Sequence, residues 1–211
     1  LFLDSQDYAR FVHDLYEFND SAPASNAYRL FDTSNVMDIV NPSFKRIREV
    51  LVDIHGWTLM RDHYHLLLSG RVENGISLFL RKLNVGYANY VNQRYERKGT
   101  LYRGRTKKIL IEDEAHFLYI LHYLHLNPLD YLQDAEKWRL RSKSGIRNVD
   151  EVLEYLDSYR WSSYLDYAGK KNFPSILTSS LFSDSLGNYN DALNEYLRDA
   201  EYDGTTEFVL E

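Results

Sequence analysis

Two histidines one residue apart, His63 and His65, open an apolar run to Leu68 that reads as a β-strand. Residues two apart on a strand face the same side, so both imidazoles point together while Tyr64 points away. Imidazoles on one face can share a cation at N–metal distances of about 2.1 Å. Further along, Tyr123 and Asn127 sit four apart in an apolar helical run and share a face. Asn127 can offer an amide oxygen to a metal, and Tyr123 a phenolic oxygen beside it. Together these residues supply three metal ligands and an oxygen nucleophile, the set a phosphodiester-cleaving tyrosine enzyme uses. Each pair also has an ordinary reading. Alternate histidines on a strand are often hydrogen-bonded surface. A tyrosine in an apolar helix is usually core, and an asparagine before a proline usually ends a helix.

The elements that must position these groups follow from periodicity. Asp4 and Ser5 cap a first helix with Tyr8, Phe11, Val12 and Leu15 on its apolar face. Residues 19–26 read as loop. Asn41-Pro42-Ser43 starts a second helix with Phe44, Ile47, Leu51 and Ile54 inward, ended by His55-Gly56. Trp57–Met60 and His63–Leu68 make two strands around Arg61-Asp62. A long helix follows over about 76–97, with Ile76, Phe79, Leu80, Leu83, Tyr87, Tyr90 and Val91 buried. Lys107–Ile111 reads as a further strand. Asp113 caps the helix that carries Tyr123 and buries Phe117, Ile120, Leu121 and Leu124, and Pro128 terminates it. On that helix His122 and His125 lie about 100° and 200° around from Tyr123, so they read as packing or support rather than ligands. The fold class is α+β, a small antiparallel sheet with helices packed on it. Residues 1–130 form the candidate catalytic domain, and 131–211 a helical C-terminal extension packed on it.

Composition narrows the partners. The chain has 211 residues, 44% hydrophobic and 27% charged, which excludes wholesale disorder. No run approaches the ~18 apolar residues of a membrane helix, so no membrane partner is expected. Zero cysteines exclude disulfides, thiolate metal sites and a cysteine nucleophile, and fit a reducing cytoplasm. The sequence begins at Leu1 with no signal-peptide pattern, so the native start is expected to lie outside it. Net charge is −6, yet residues 81–108 hold nine basic residues against one acid, while 181–211 hold eight acids against one base. A cationic stretch within an acidic chain is an anion-binding candidate, and 18 tyrosines suit base stacking as well as cores.

The run Leu59-Met60-Arg61-Asp62-His63-Tyr64-His65-Leu66-Leu67-Leu68 resembles the HUH segment of single-tyrosine transposases, in particular the REP-associated tyrosine transposase group. The same order continues in Arg81-Lys82-Leu83, Tyr87–Tyr95, Gly99–Arg105, Tyr123–Pro128 and Trp161-Ser162-Ser163-Tyr164. The resemblance runs from Leu1 to about Gly169. It implies that His63 and His65 are metal ligands, that Tyr123 is the nucleophile, and that Asn127 is the third ligand. It also implies an RRM- or ferredoxin-like HUH endonuclease fold with the histidines on a central strand. Two departures stand out: Arg61-Asp62 precedes the first histidine, where the family commonly has Pro-Asn or Asp-Asn, and residues 130–158 are longer than in many relatives. The family's opening strand precedes Leu1, which leaves one sheet edge undefined.

By that resemblance the reaction is cleavage and rejoining of single-stranded or hairpin-flanking DNA through a 5′-phosphotyrosine and a free 3′-hydroxyl. Mg²⁺ or Mn²⁺ is the implied cofactor, and the protein acts as a monomer or homodimer. Lys82, Tyr102, Arg103, Arg105 and Lys107 are the candidate DNA contacts, with Tyr102 as stacker. Two rival readings remain open: an RRM-like module that holds nucleic acid without cutting it, and a metal-dependent hydrolase that uses water.

Overall fold

The computed structural model describes residues 1–23, 48–132 and 149–198. It is an α+β structure: α1 (Ser5–Glu17), β1 (Val52–Leu59), β2 (Tyr64–Gly70), α2 (Gly75–Arg94), α3 (Glu114–Leu126) and a 3-10 turn (Asn127–Tyr131), then α4 (Val149–Ser158), α5 (Tyr164–Tyr167), α6 (Ser180–Leu186) and α7 (Tyr189–Arg198). Among the described residues the sheet has two strands, β1 and β2, paired antiparallel.

A β-bulge at His55 sets which side chains face which layer. It adds one residue between Ile54 and Gly56, so Val52 and Ile54 share a face with Trp57 and Leu59 despite their odd spacing. Those four are buried in one core with Phe11, Val12 and Leu15 of α1 and Phe79, Leu83 and Tyr87 of α2. From β2 the core takes Tyr64, Leu66 and Leu68. The other face shows Gly56, Thr58 and Leu67 to α3. A methyl on Gly56 would come within 3.1 Å of Leu121 Cδ1, so α3 packs closely on the sheet at this position. A second core forms there from Leu121, Tyr123 and Leu126 with Leu156, Tyr164, Phe182, Tyr189 and Leu193 from the C-terminal helices.

The bulge also corrects a sequence expectation. Leu51 and Ile54 end no helix; Val52–Leu59 is strand, because its β-branched and aromatic residues are buried on a pleated surface rather than a helical stripe. The expected helix start at 41–47 lies outside the described residues. The outer edge of β1 is covered by the chain that follows α4: Leu59 N donates to Trp161 O, Ser163 N to Trp57 O, and Thr178 N to Ile54 O. That contact accounts for the Trp161-Ser162-Ser163-Tyr164 run. Lys107–Ile111 has no regular structure, and Ile109 and Leu110 are exposed. Among the described residues no neighbouring chain offers it a ladder, and an extended segment becomes a strand only by pairing.

Candidate active site and nucleic-acid groove

His63 lies at the entrance to β2, where Met60 N donates to its carbonyl at 2.8 Å and closes the hairpin turn. His65 is inside the strand opposite Thr58. Strand alternation sends Tyr64 the other way, where its hydroxyl donates to Asn84 Oδ1 of α2 at 2.6 Å. Burial pushes that phenol up to about 12, so it keeps its proton and its role as donor. The two imidazoles converge instead: His63 Nε2 is 3.1 Å from His65 Nε2. Ligands about 2.1 Å from one cation, at roughly a right angle, stand about 3 Å apart. The pair therefore has the spacing of two ligands of one ion, with His63 about half-exposed to solvent.

Tyr123 reaches the same place from α3. Asp113 caps the helix by accepting from His116 N at 2.7 Å. Thr58, the cross-strand partner of His65, donates to Leu124 O at 2.8 Å and pins the helix to the sheet one residue beyond the tyrosine. The rings of His65 and Tyr123 lie 6.1 Å apart and almost perpendicular. Strand imidazoles and helix phenol thus meet on one face of the sheet. Tyr119, one turn earlier, has its ring 5.9 Å from Tyr123.

Asn127 is fully buried, just past the last residue of α3. Its Nδ2 donates back to Tyr123 O at 2.8 Å. Among the described residues its Oδ1 has no hydrogen-bond partner. A buried acceptor left without a donor is costly unless something positive satisfies it. Imidazole nitrogens and an amide oxygen are donor types that suit a divalent cation of mixed N/O preference. Among the described residues no group of three His or acidic side chains could hold a metal.

The other histidines of α3 serve packing. His122 stacks on Tyr196 and Tyr189. His125 is fully buried, its Nδ1 2.6 Å from Tyr189 Oη and its Nε2 2.7 Å from Ser163 Oγ. Burial holds its imidazole well below the ordinary histidine range, so it is neutral, and burial drives the Tyr189 phenol far upward, so Tyr189 keeps its proton. The tautomer follows: Tyr189 donates to Nδ1, and Nε2–H donates to Ser163, which accepts from Trp57 N and donates to Trp57 O. This chain of bonds fastens α3 to β1 and α7. Sequence periodicity saw only that His122 and His125 face away from the tyrosine.

The candidate DNA contacts separate. Tyr102 and Arg105 line an open trough of about 490 Å³ between α2 and the segment after it, together with Ser77, Arg81, Asn84 and Lys108. Arg103 and Lys107 are exposed beside it. Lys82 points elsewhere: its ammonium donates to the carbonyls of Asp20 and Ala22 and closes the turn after α1. Tyr102 lies with its ring edge to Tyr64 and its hydroxyl buried. Arg81 and Lys108 belong to the basic stretch 81–108 but were not among the expected contacts. Ser77, Arg81 and Asn84 recur at helical spacing, and that repeat was the available signal. Asp62 was also missed: its carboxylate accepts from His63 Nδ1 at 2.7 Å.

Among the described residues no helix is long and apolar enough to cross a membrane. No curated protein and no solved structure matches the chain. A family model does: residues 30–124 match the one described as transposase IS200 like, a span that holds both histidines and Tyr123 and stops short of Asn127. The match points to a DNA-processing enzyme with DNA as its partner. The stretch that brings imidazoles and phenol together is thus similar to IS200-like transposases, which is consistent with a single-tyrosine transposase family.

Proposed function

We propose that the protein cleaves and rejoins single-stranded or hairpin-flanking DNA through Tyr123, with a divalent cation held by His63, His65 and Asn127. The observation that carries this reading is the 3.1 Å approach of the two Nε2 atoms, with the Tyr123 ring beside His65 on the same face. A cation bound there, Mg²⁺ or Mn²⁺, supplies Lewis acidity at a non-bridging phosphate oxygen.

The residues do the rest. His63 and His65 fix where a phosphate sits, and the Thr58–Leu124 bond sets how far α3 stands from it. Tyr123 Oη attacks phosphorus, a P–O(Tyr) bond forms, and the P–O3′ bond breaks. The phenolic proton passes through water to the departing 3′-oxygen. The reverse attack by a 3′-hydroxyl reseals the strand, so no nucleotide cofactor is consumed. Arg81, Arg105 and Lys108 line the trough and suit the phosphates of a bound strand, while Arg103 and Lys107 extend the positive surface. In this reading the RRM-like HUH core spans residues 1–130, and residues 131–211 extend it, bracing the helix that carries the nucleophile. It also keeps the protein DNA-associated in the cytoplasm.

Incubation with labelled single-stranded DNA and Mn²⁺, followed by denaturing electrophoresis, tests the proposal. The expected result is a denaturant-resistant protein–DNA adduct that Tyr123→Phe abolishes while binding persists. Cleavage that survives Tyr123→Phe assigns the attack to water. Binding by the unaltered protein with neither adduct nor cleavage assigns it a holding role.

A further inference from the structure

Behind the histidine pair stands a carboxylate. Asp62 lies in the turn between β1 and β2, its side chain 84% exposed, with Oδ1 2.7 Å from His63 Nδ1. A carboxylate oxygen accepts hydrogen bonds, and Oδ1 stands at hydrogen-bond distance from the ring nitrogen. Nδ1 must then carry the proton. In a neutral imidazole that leaves Nε2 as the lone-pair nitrogen, and Nε2 is the atom that faces His65. A carboxylate that takes the far N–H of a metal-binding histidine fixes its tautomer and ring orientation and raises its basicity.

We infer that Asp62 is a positioning residue for the metal site: it locks His63 as the Nδ1–H tautomer and aims Nε2 at the ion it shares with His65. The inference rests on the metal-site reading proposed above. It explains a sequence feature that reading leaves idle, the acid immediately before the first histidine. It also predicts a preformed half-site, because the Asp62–His63 bond exists without the cation and less rotamer freedom is lost on binding.

Two measurements on the full chain test it. The first is the ¹⁵N spectrum of the His63 ring in metal-free protein. An Nδ1–H tautomer is expected, drifting toward Nε2–H in Asp62→Ala; an Nε2–H tautomer in the unaltered chain overturns the inference. The second is Mn²⁺ titration by calorimetry. Asp62→Ala is expected to weaken binding about 10- to 100-fold. Asp62→Asn retains a carbonyl acceptor and should lose clearly less. Equal losses in the two variants would mean that charge alone acts, and would overturn the positioning role. Unchanged affinity in both would do the same. If the unaltered chain fails to bind Mn²⁺, the metal-site reading falls and the inference with it. Asp62 is exposed in a turn, so neither substitution threatens the core, and thermal melts verify this.

Discussion

The two faces of the β1–β2 hairpin are built differently. Toward α1 and α2 the sheet presents Val52, Ile54, Trp57, Leu59, Leu66 and Leu68 to a dense apolar core. A buried carboxylate there is satisfied from several sides. Asp7, fully buried, accepts from Leu3 N, Tyr90 Oη and Tyr95 Oη and pairs with Arg94. Toward α3 the sheet offers a glycine, a threonine and two histidines. There the packing is completed by elements far along the chain, and Asn127 Oδ1 is left without a donor among the described residues. One face is closed mainly by apolar packing, with Trp57 Nε1 buried there without a hydrogen-bond partner among the described residues, and the other presents two imidazoles to α3. The difference suits the first face to stability and the second to the chemistry proposed for it.

If that division holds, damage to the two faces should have distinct signatures. The largest stability loss is expected from Leu83→Ala, which opens a cavity in the α2-side core and should cost about 2–5 kcal/mol. Urea denaturation should show that loss, while the folded fraction forms the DNA adduct at the original rate; a matching loss of rate would erase the distinction. Gly86→Ala comes next. A methyl there would overlap the Phe18 ring at the end of α1, so destabilisation of about 1–3 kcal/mol is expected by the same assay, again without a change in chemistry.

Ser163→Ala should break the rule in the other direction. It strips His125 of one partner and Trp57 of another in a fully buried network, which costs about 1–3 kcal/mol. Because that network holds α3, adduct formation should fall further than the folded fraction does. Preservation of the rate in the folded protein would show that α3 is placed by Thr58 alone.

Acid should act through His125. Its folded-state affinity for a proton is lowered by burial, so below about pH 6.5 the unfolded chain binds the proton more readily than the folded one. Stability from this residue is therefore complete above that pH and declines as pH falls below it. Melting temperatures from pH 7.5 to 5 should drop, and the drop should shrink in His125→Asn. The smallest effect is expected at the trough: Arg105→Ala should weaken single-strand binding and reduce the salt slope by about one. An unchanged slope would remove Arg105 from the phosphate path.

Much of this arrangement was legible in the residues. Helix α2, expected over about 76–97, spans Gly75–Arg94 with Phe79, Leu80, Leu83, Tyr87, Tyr90 and Val91 buried as expected and Ile76 partly so, because an uninterrupted 3.6-residue pattern leaves little choice. The hairpin around Arg61-Asp62 and the shared face of the histidines followed from alternation. Strand β1 was obscured by its bulge: one extra residue at His55 shifts the parity between Ile54 and Trp57, so period two is lost in the middle of the strand. Lys107–Ile111 has strand composition but no partner among the described residues, and pairing is not written in composition. Asn127 was read as a helix-face neighbour of Tyr123. It sits at the helix end, where Pro128 was expected to stop the helix, with its amide folded back on the Tyr123 carbonyl. Asp62 escaped because alternation places it opposite His63, whereas the turn curls its carboxylate around to the ring. Contacts with Ser163, Tyr189 and Thr178 join residues far apart in the chain, and no local pattern announces them.

Whether the phenol on α3 performs the chemistry is best decided by finding where the DNA becomes attached. Mass spectrometry of the nuclease-trimmed adduct, formed with single-stranded DNA and Mn²⁺, should locate a nucleotide 5′-phosphate on Tyr123 and nowhere else. Attachment to Tyr119, its neighbour 5.9 Å away, or to any other tyrosine would contradict the account.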